Sequence, residues 1–210
     1  MTEGAVFGEK YTREDYGAIM NYARIAPPAP KTNYVDIAGG DSSIDLSEAV
    51  GGVTYEDWSI DFLFTFFSRS AAEKMKNDLH GRRVEIVLER EKEYCYDGRI
   101  SAGRISQEGR IFEMSLSARI KPYKYEKKEI VHEERLDGRT KEILLENDAM
   151  PAMPRIKVDG EVTLLYDGIG YRMVTGEYQV PEITLYAGIN RLRLSGKGTV
   201  VLTYRKGRLA

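Results

Sequence analysis

The side chains able to do chemistry are few and scattered. His80, His132 and Cys95 are the only imidazoles and the only thiol. A zinc site needs nitrogen and sulfur ligands at short, repeated spacings, and no such Cys/His spacing occurs. His80 falls at the end of a predicted helix, where an imidazole meets the carbonyl end of the helix dipole favourably. Cys95 sits between Tyr94 and Tyr96 on a predicted strand, and a packed, inert thiol is the expected state there. Asp36, Asp41 and Asp45 cluster but lack the alternating Asp/Asn pattern closing on Glu that a calcium loop requires. Gly196-Lys197-Gly198-Thr199 has part of the composition of a phosphate loop. Arg191 stands where the first Gly should be, Gly198 replaces the required Ser or Thr, and no helix follows, so the sequence predicts a hairpin turn. No Gly-x-Ser-x-Gly elbow occurs, and nothing singles out a facing pair among the 33 acids for glycoside hydrolysis. Tyr166, Tyr171, Tyr178 and Tyr186 could stack on sugar rings, but no Trp follows Trp58, and tyrosines also fill sandwich cores. No catalytic, cofactor-binding or metal-binding residue is assigned, ligand-binding residues are left unassigned, and neither an enzyme nor a cofactor is expected.

The chain of 210 residues is 42% hydrophobic and 30% charged, with a net charge of -2. This is the composition of a globular protein of one large or two small domains. The near balance of charge gives no electrostatic case for sequence-specific nucleic-acid binding. A lone cysteine forms no intrachain disulfide, which fits synthesis in a reducing cytoplasm. Met1-Thr-Glu-Gly-Ala5 lacks a basic segment leading into an apolar one, so no secretory signal is predicted. No apolar run approaches the ~20 residues that span a bilayer, and no membrane association is expected.

The elements around these residues read as β. Trp58-Ser-Ile-Asp-Phe-Leu-Phe-Thr-Phe-Phe67 holds the only Trp and four of the six Phe. Trp58, Ile60, Phe62, Phe64 and Phe66 recur at period two, which predicts a half-buried strand running from about Val53 to Phe67. Burying those five side chains contributes on the order of 10 kcal/mol before entropy is subtracted. Residues 1–24 read as short strand pieces around Gly8 and Gly17. Ala26-Pro-Pro-Ala-Pro30 reads as a stiff connector. Ser70-Ala-Ala-Glu73 matches a capping box, Ala71, Met75 and Leu79 form an apolar stripe, and Gly81 closes the element, predicting one short helix over 70–80. Asp97-Gly98, Glu108-Gly109 and Asp137-Gly138 read as hairpin turns. Lys121-Pro122 marks the domain boundary, giving domains 1–121 and 122–210. Beyond it, short strands at 155–158, 162–166, 171–175, 179–185, 191–195 and 199–205 predict an antiparallel sandwich, ending in a hairpin about Gly196-Lys-Gly198.

The order of three stretches carries a likeness. One is Pro28 and Lys31 leading to Val35-Asp-Ile37, then Gly40-Asp41 and Ile44-Asp-Leu-Ser47. Another is the aromatic strand followed by the helix and Gly81-Arg-Arg-Val-Glu-Ile. The last is Gly188-Ile-Asn190 through Leu194, then Gly196 to Arg205 and Gly207. In this combination the chain resembles the distal tail protein (Dit-like) family of tailed bacteriophages and prophages, best known from long non-contractile tails. Ser42 departs from the Gly often found after Gly40-Asp41.

The resemblance implies a mainly β, two-domain fold. The N-terminal domain would be β-sandwich or barrel-like with one short helix, similar to the tail tube protein. The C-terminal domain would be a galectin-like antiparallel β-sandwich. It implies a structural, non-enzymatic role in the virion's tail tip or baseplate, as a hexameric ring joining the tail tube to the hub or tail-fibre protein while DNA crosses the lumen. Implied partners are other copies of the chain, the tube protein, the hub or fibre protein and receptor-binding proteins. The alternative is a carbohydrate-binding module for host-surface adhesion, carried by the C-terminal sandwich. That alternative rests on fold analogy, a weak warrant.

Overall fold

The computed structural model describes residues 4–49 and 51–209. The reading of Met1–Glu3 as lacking a secretory signal lies outside them. The chain divides into two compact units, residues 4–124 and 125–209. Both are dominated by antiparallel strands, so the fold is mainly β.

The first unit contains β1 (Ala5–Phe7), β2 (Lys10–Tyr11), α1 (Thr12–Tyr16), β3 (Ile19–Ile25), β4 (Tyr34–Asp36), β5 (Ser43–Asp45), β6 (Trp58–Phe66), α2 (Arg69–Leu79), β7 (Arg83–Leu88), β8 (Tyr94–Glu108) and β9 (Ile111–Ile120). Its main sheet runs β2-β1-β7-β8-β9-β6-β3. In a flat sheet β1 and β6 would lie about 19 Å apart at ~4.8 Å per strand. Yet the Phe7 and Phe62 rings meet edge to face at 5.3 Å. The sheet therefore curls until its inward face encloses one core. Ile60, Phe62, Phe64 and Phe66 are all fully buried there, as the alternation predicts. Trp58 is half-buried, and its indole Nε1–H donates to the Lys121 carbonyl at 2.8 Å. β6 begins at Trp58 rather than Val53.

The helix α2 lays Ala72, Met75 and Leu79 into this core. Its start differs from expectation. Ser68 is the N-cap and makes no side-chain cap bond. Ser70 lies inside the helix, and Glu73 is held by Arg69 Nε at 2.9 Å, so the capping box does not form. Past the C-cap, Gly81 takes a φ of +78°, the left-handed geometry that lets the chain leave a helix. The short helix α1 was hidden within a segment that reads as strand pieces. Its two ends are tied independently of its length. Asp15 Oδ2 accepts from the Tyr11 N–H at 2.8 Å, and Gly17 closes the other end at φ +58°. That Tyr11 bond holds the Asp15 carboxyl below its ordinary range.

Asp97-Gly98 is not a turn but lies within β8, near its start. A Cβ on Gly98 would lie 2.6 Å from Ile120 Cγ2, so the glycine is there for close strand packing. The turn at Gly109 forms as read, with φ +59°.

The boundary between the units falls within β10 (Tyr123–Glu126), and the second unit contains β11 (Ile130–Asp137), β12 (Lys141–Asn147), β13 (Arg155–Tyr166), β14 (Ile169–Met173), β15 (Gly176–Tyr178), β16 (Gly188–Tyr204) and β17 (Gly207–Leu209). Two of these strands are long, and they organise the rest. β13 and β16 pair without interruption from Arg155↔Thr203 to Leu165↔Arg193. Gly196-Lys-Gly198 is thus a bend inside one strand rather than a hairpin turn. At the bend Gly198 faces Gly160 and Gly196 faces Val162. A Cβ on Gly198 would lie 2.0 Å from the Asp159 carbonyl oxygen, and one on Gly196 2.3 Å from that of Glu161.

The ladder also replaces the hairpin read at Asp137-Gly138. β11 and β12 do not pair with each other. Both run along β16, β11 on its later half and β12 on its earlier half. Gly138 N–H bonds the Gly196 carbonyl at 2.8 Å, joining the two stretches across the bend. On the far side, β15 and β14 flank the two halves of β13. The bend folds these halves into the two layers of a sandwich. Ile156, Val158, Val200 and Leu202 from one half share one core with Val162, Leu164, Leu192 and Leu194 from the other. Residues 179–185, read as a strand, form none. They contribute Ile183 and Leu185 to the core, and Leu185 makes a single bridge to Ala152.

Candidate interaction surfaces

The sequence-flagged residues are not brought together. Cys95 is fully buried on β8. His80 Nδ1 accepts from the Ala102 N–H at 3.1 Å, a structural bond at the helix end. His132 lies on β11, with Nε2 3.9 Å from Glu134 Oε2. Among the described residues, no group of three or more His, Cys, Asp or Glu is placed to hold a metal. Asp36 and Asp45 lie on β4 and β5, and their side chains bond Ser43 and Ser47. The Gly196–Thr199 segment lies within β16.

The four tyrosines do not form one platform. Tyr166 Oη donates to the Thr184 carbonyl at 2.6 Å and lies 3.1 Å from Asn190 Oδ1, which also accepts from the Tyr186 N–H. Burial, with the neighbouring Tyr186 and Asp167, raises the Tyr166 phenol above its ordinary range. Tyr171 faces Leu164 and Tyr178 faces Ile156, on opposite halves of the bent β13. Tyr178 Oη is occupied by the Val174 backbone.

Three surfaces of the first unit have the form of contact sites. The first is an arm. Between β3 and β6 the chain leaves the sheet, pinned at its root by the Pro30↔Tyr55 bridge and by Lys31 N–H to the Thr54 carbonyl at 2.8 Å. Beyond that root β4 and β5 form a two-stranded ribbon with no core of its own. Tyr34 is 59% exposed and Ile44 51%, and Val35, Ile37 and Leu46 are also exposed. A two-stranded ribbon is marginal in water by itself, and exposed apolar residues grouped this closely mark a contact surface.

The second surface is the edge strand β3. It pairs with β6 on one side, and a bulge between Met20 and Tyr22 interrupts its register. Such bulges limit indiscriminate edge pairing.

The third is the outward face of β7, β8, β9 and β6. There Arg83, Arg99 and Arg119 lie directly opposite one another across three neighbouring strands, with Ser59 next in line. Like charges in register are destabilising, so each needs a partner. Arg83 pairs with Asp97, Arg99 Nη1 donates to the Gly81 carbonyl at 2.8 Å, and Arg119 Nε lies 3.3 Å from Asp57. The row lines an open cleft of about 350 Å3. Sequence reading missed it. Each arginine is at an outward-phase position on its own strand, but only the register between strands aligns the three.

Comparison with solved structures finds a likeness over the whole chain. The Dit protein (gp 19.1) of phage SPP1 superposes with a TM-score of 0.70, covering 100% of each chain at 15% identity. The two share one fold. That protein is described as a paradigm of the hub adsorption apparatus in phages infecting Gram-positive bacteria. No family model and no curated protein matches the sequence. The Dit fold accounts for both units, the curled sheet with its helix and the antiparallel sandwich.

Proposed function

We propose that this chain is a structural component of a phage tail tip, forming a hexameric ring that joins the tail tube to the hub or fibre protein and leaves a lumen for DNA. The observation that carries the reading is the superposition on a phage hub protein along the full length of both chains. The surfaces of the first unit support it. An exposed apolar arm and an open sheet edge are liabilities in a lone molecule and become contacts in a closed ring. The ring would belong to the virion, made in the bacterial cytoplasm. Its partners would be the tube protein and the hub or fibre protein.

The test is light scattering on the purified protein, together with negative-stain images of tails assembled with and without it. A ring at the tail tip that disappears with the protein is the expected result. A strict monomer at high concentration, with no ring in assembled tails, overturns the proposal.

A further inference from the structure

We infer that the acidic, apolar arm of one copy docks on the arginine row of a neighbouring copy. This rests on the ring reading and names the two surfaces that meet. The charge pattern is the first ground. Between Lys31 and Arg69 the sequence contains no Lys, Arg or His, while the arm carries Asp36, Asp41, Asp45 and Glu48. In a chain with 31 basic residues that gap concentrates uncompensated negative charge on one excursion. The receiving cleft has a smaller excess of the opposite sign, three arginines in register and Lys121 against the carboxylates of Asp57 and Asp97.

The second ground is that the chain already makes this contact once within itself. Asp57, at the end of the same acidic stretch, pairs with Arg119 at 3.3 Å. One arginine of the row thus takes a carboxylate from the arm's root, and Arg83 and Arg99, already held by Asp97 and the Gly81 carbonyl, extend the line away from it. The third ground is apolar. The same outward face continues over β6 and β3, where Tyr22 stands opposite Leu63, and Phe67, just past the end of β6, is 71% exposed. An arm bearing Tyr34, Ile37 and Ile44 beside its acids matches a face that offers both chemistries. A heterologous contact of this kind, arm to face, repeats around a ring and needs no self-complementary patch.

The test uses the full chain. Variants Arg99→Glu/Arg119→Glu and Asp41→Arg/Asp45→Arg are compared with the wild type, with circular dichroism confirming their fold. Association is read by light scattering and by ring counts in assembled tails. Each reversed pair is expected to weaken association about tenfold or more, and the two together to recover most of it, since opposite charges again face each other. Wild-type association should weaken with added salt. In a second readout, Ile44→Cys protein mixed with Arg99→Cys protein should form a disulfide-linked dimer that neither variant forms alone.

Three outcomes overturn the inference. If Ile37→Ser/Ile44→Ser abolishes association while reversing the arginines leaves it unchanged, the arm docks elsewhere and the ring reading stands. If reversing the arginines removes binding to a short DNA duplex but not association, the row faces nucleic acid. If the wild type is monomeric and tails hold no ring, both readings fall together.

Discussion

In the first unit the inward face is aromatic, with Phe7, Phe62, Phe64 and Phe66 in mutual contact under a helix, and the opposite face of the same sheet is left open. In the second unit the core is aliphatic, and one bent sheet supplies both of its layers. The first arrangement completes a core yet leaves a ribbon, an edge and a charged face available. The second uses the same paired strands on both sides of its core. The difference teaches how surface is kept for assembly. Covering a sheet with a helix finishes one side only, whereas folding a sheet on itself needs glycine at the fold.

The largest expected effects probe the two cores. Phe64→Ala should destabilise by about 3–5 kcal/mol and Leu202→Ala by about 2–5 kcal/mol, both being fully buried. Urea unfolding followed by fluorescence of Trp58 reports the first unit, because it is the only Trp. Circular dichroism reports both units. If Leu202→Ala shifts the Trp58 signal as far as Phe64→Ala does, the units unfold as one and the contrast between them is not energetic.

The bend comes next. Gly198→Ala should cost about 3 kcal/mol or more, since a φ of +138° and an overlap with the Asp159 carbonyl act together. Gly168→Ala has φ +78° but open space, and should cost about 1–2 kcal/mol. Equal effects would mean that close approach is not what the bend requires. Asn147→Ala removes Nδ2 bonds to the Met150 and Leu185 carbonyls, at 2.7 and 2.8 Å. A loss of about 1–3 kcal/mol is expected by denaturant titration.

A smaller effect depends on pH. Glu91 is partly desolvated, but hydrogen bonds from Lys124 and Tyr96 outweigh this and hold its carboxyl below the ordinary 4.5. Its contribution is therefore full above about pH 4.5 and is lost as pH falls through the depressed value. Glu91→Gln should flatten that acid limb in a stability–pH profile. The smallest effect is expected on the arm. Ile44→Ser should change folding stability by less than about 0.5 kcal/mol, because the side chain is exposed. A larger loss would place the arm among the supports of the core.

Much of the fold was legible from local pattern. Alternation placed Ile60, Phe62, Phe64 and Phe66 inward, and periodicity located α2, because a strand face and a helix stripe are written in neighbouring residues. What failed were the glycine signals at Gly98, Gly138 and Gly196–Gly198, whereas Gly81 does close the helix and Gly109 does make a turn. Gly98 marks close packing against Ile120, and Gly196 and Gly198 mark a bend. Turn, bulge and bend all use the same conformational freedom, and only the strand lying opposite distinguishes them. The candidate surfaces divide in the same way. The charge gap from 32 to 68 is a property of sequence, whereas the arginine row exists only in the register of β7, β8 and β9.

The sequence by itself determined the β class, the inward face of the aromatic strand, the helix that covers it and the absence of any recurring ligand spacing. These follow from side-chain order over a few residues. Tertiary structure alone decided that β13 and β16 are single bent strands, that β11 and β12 share one neighbour, and that three arginines stand side by side. Those facts are pairings between segments far apart in the chain, and pairing is settled by the whole core rather than by any stretch of it.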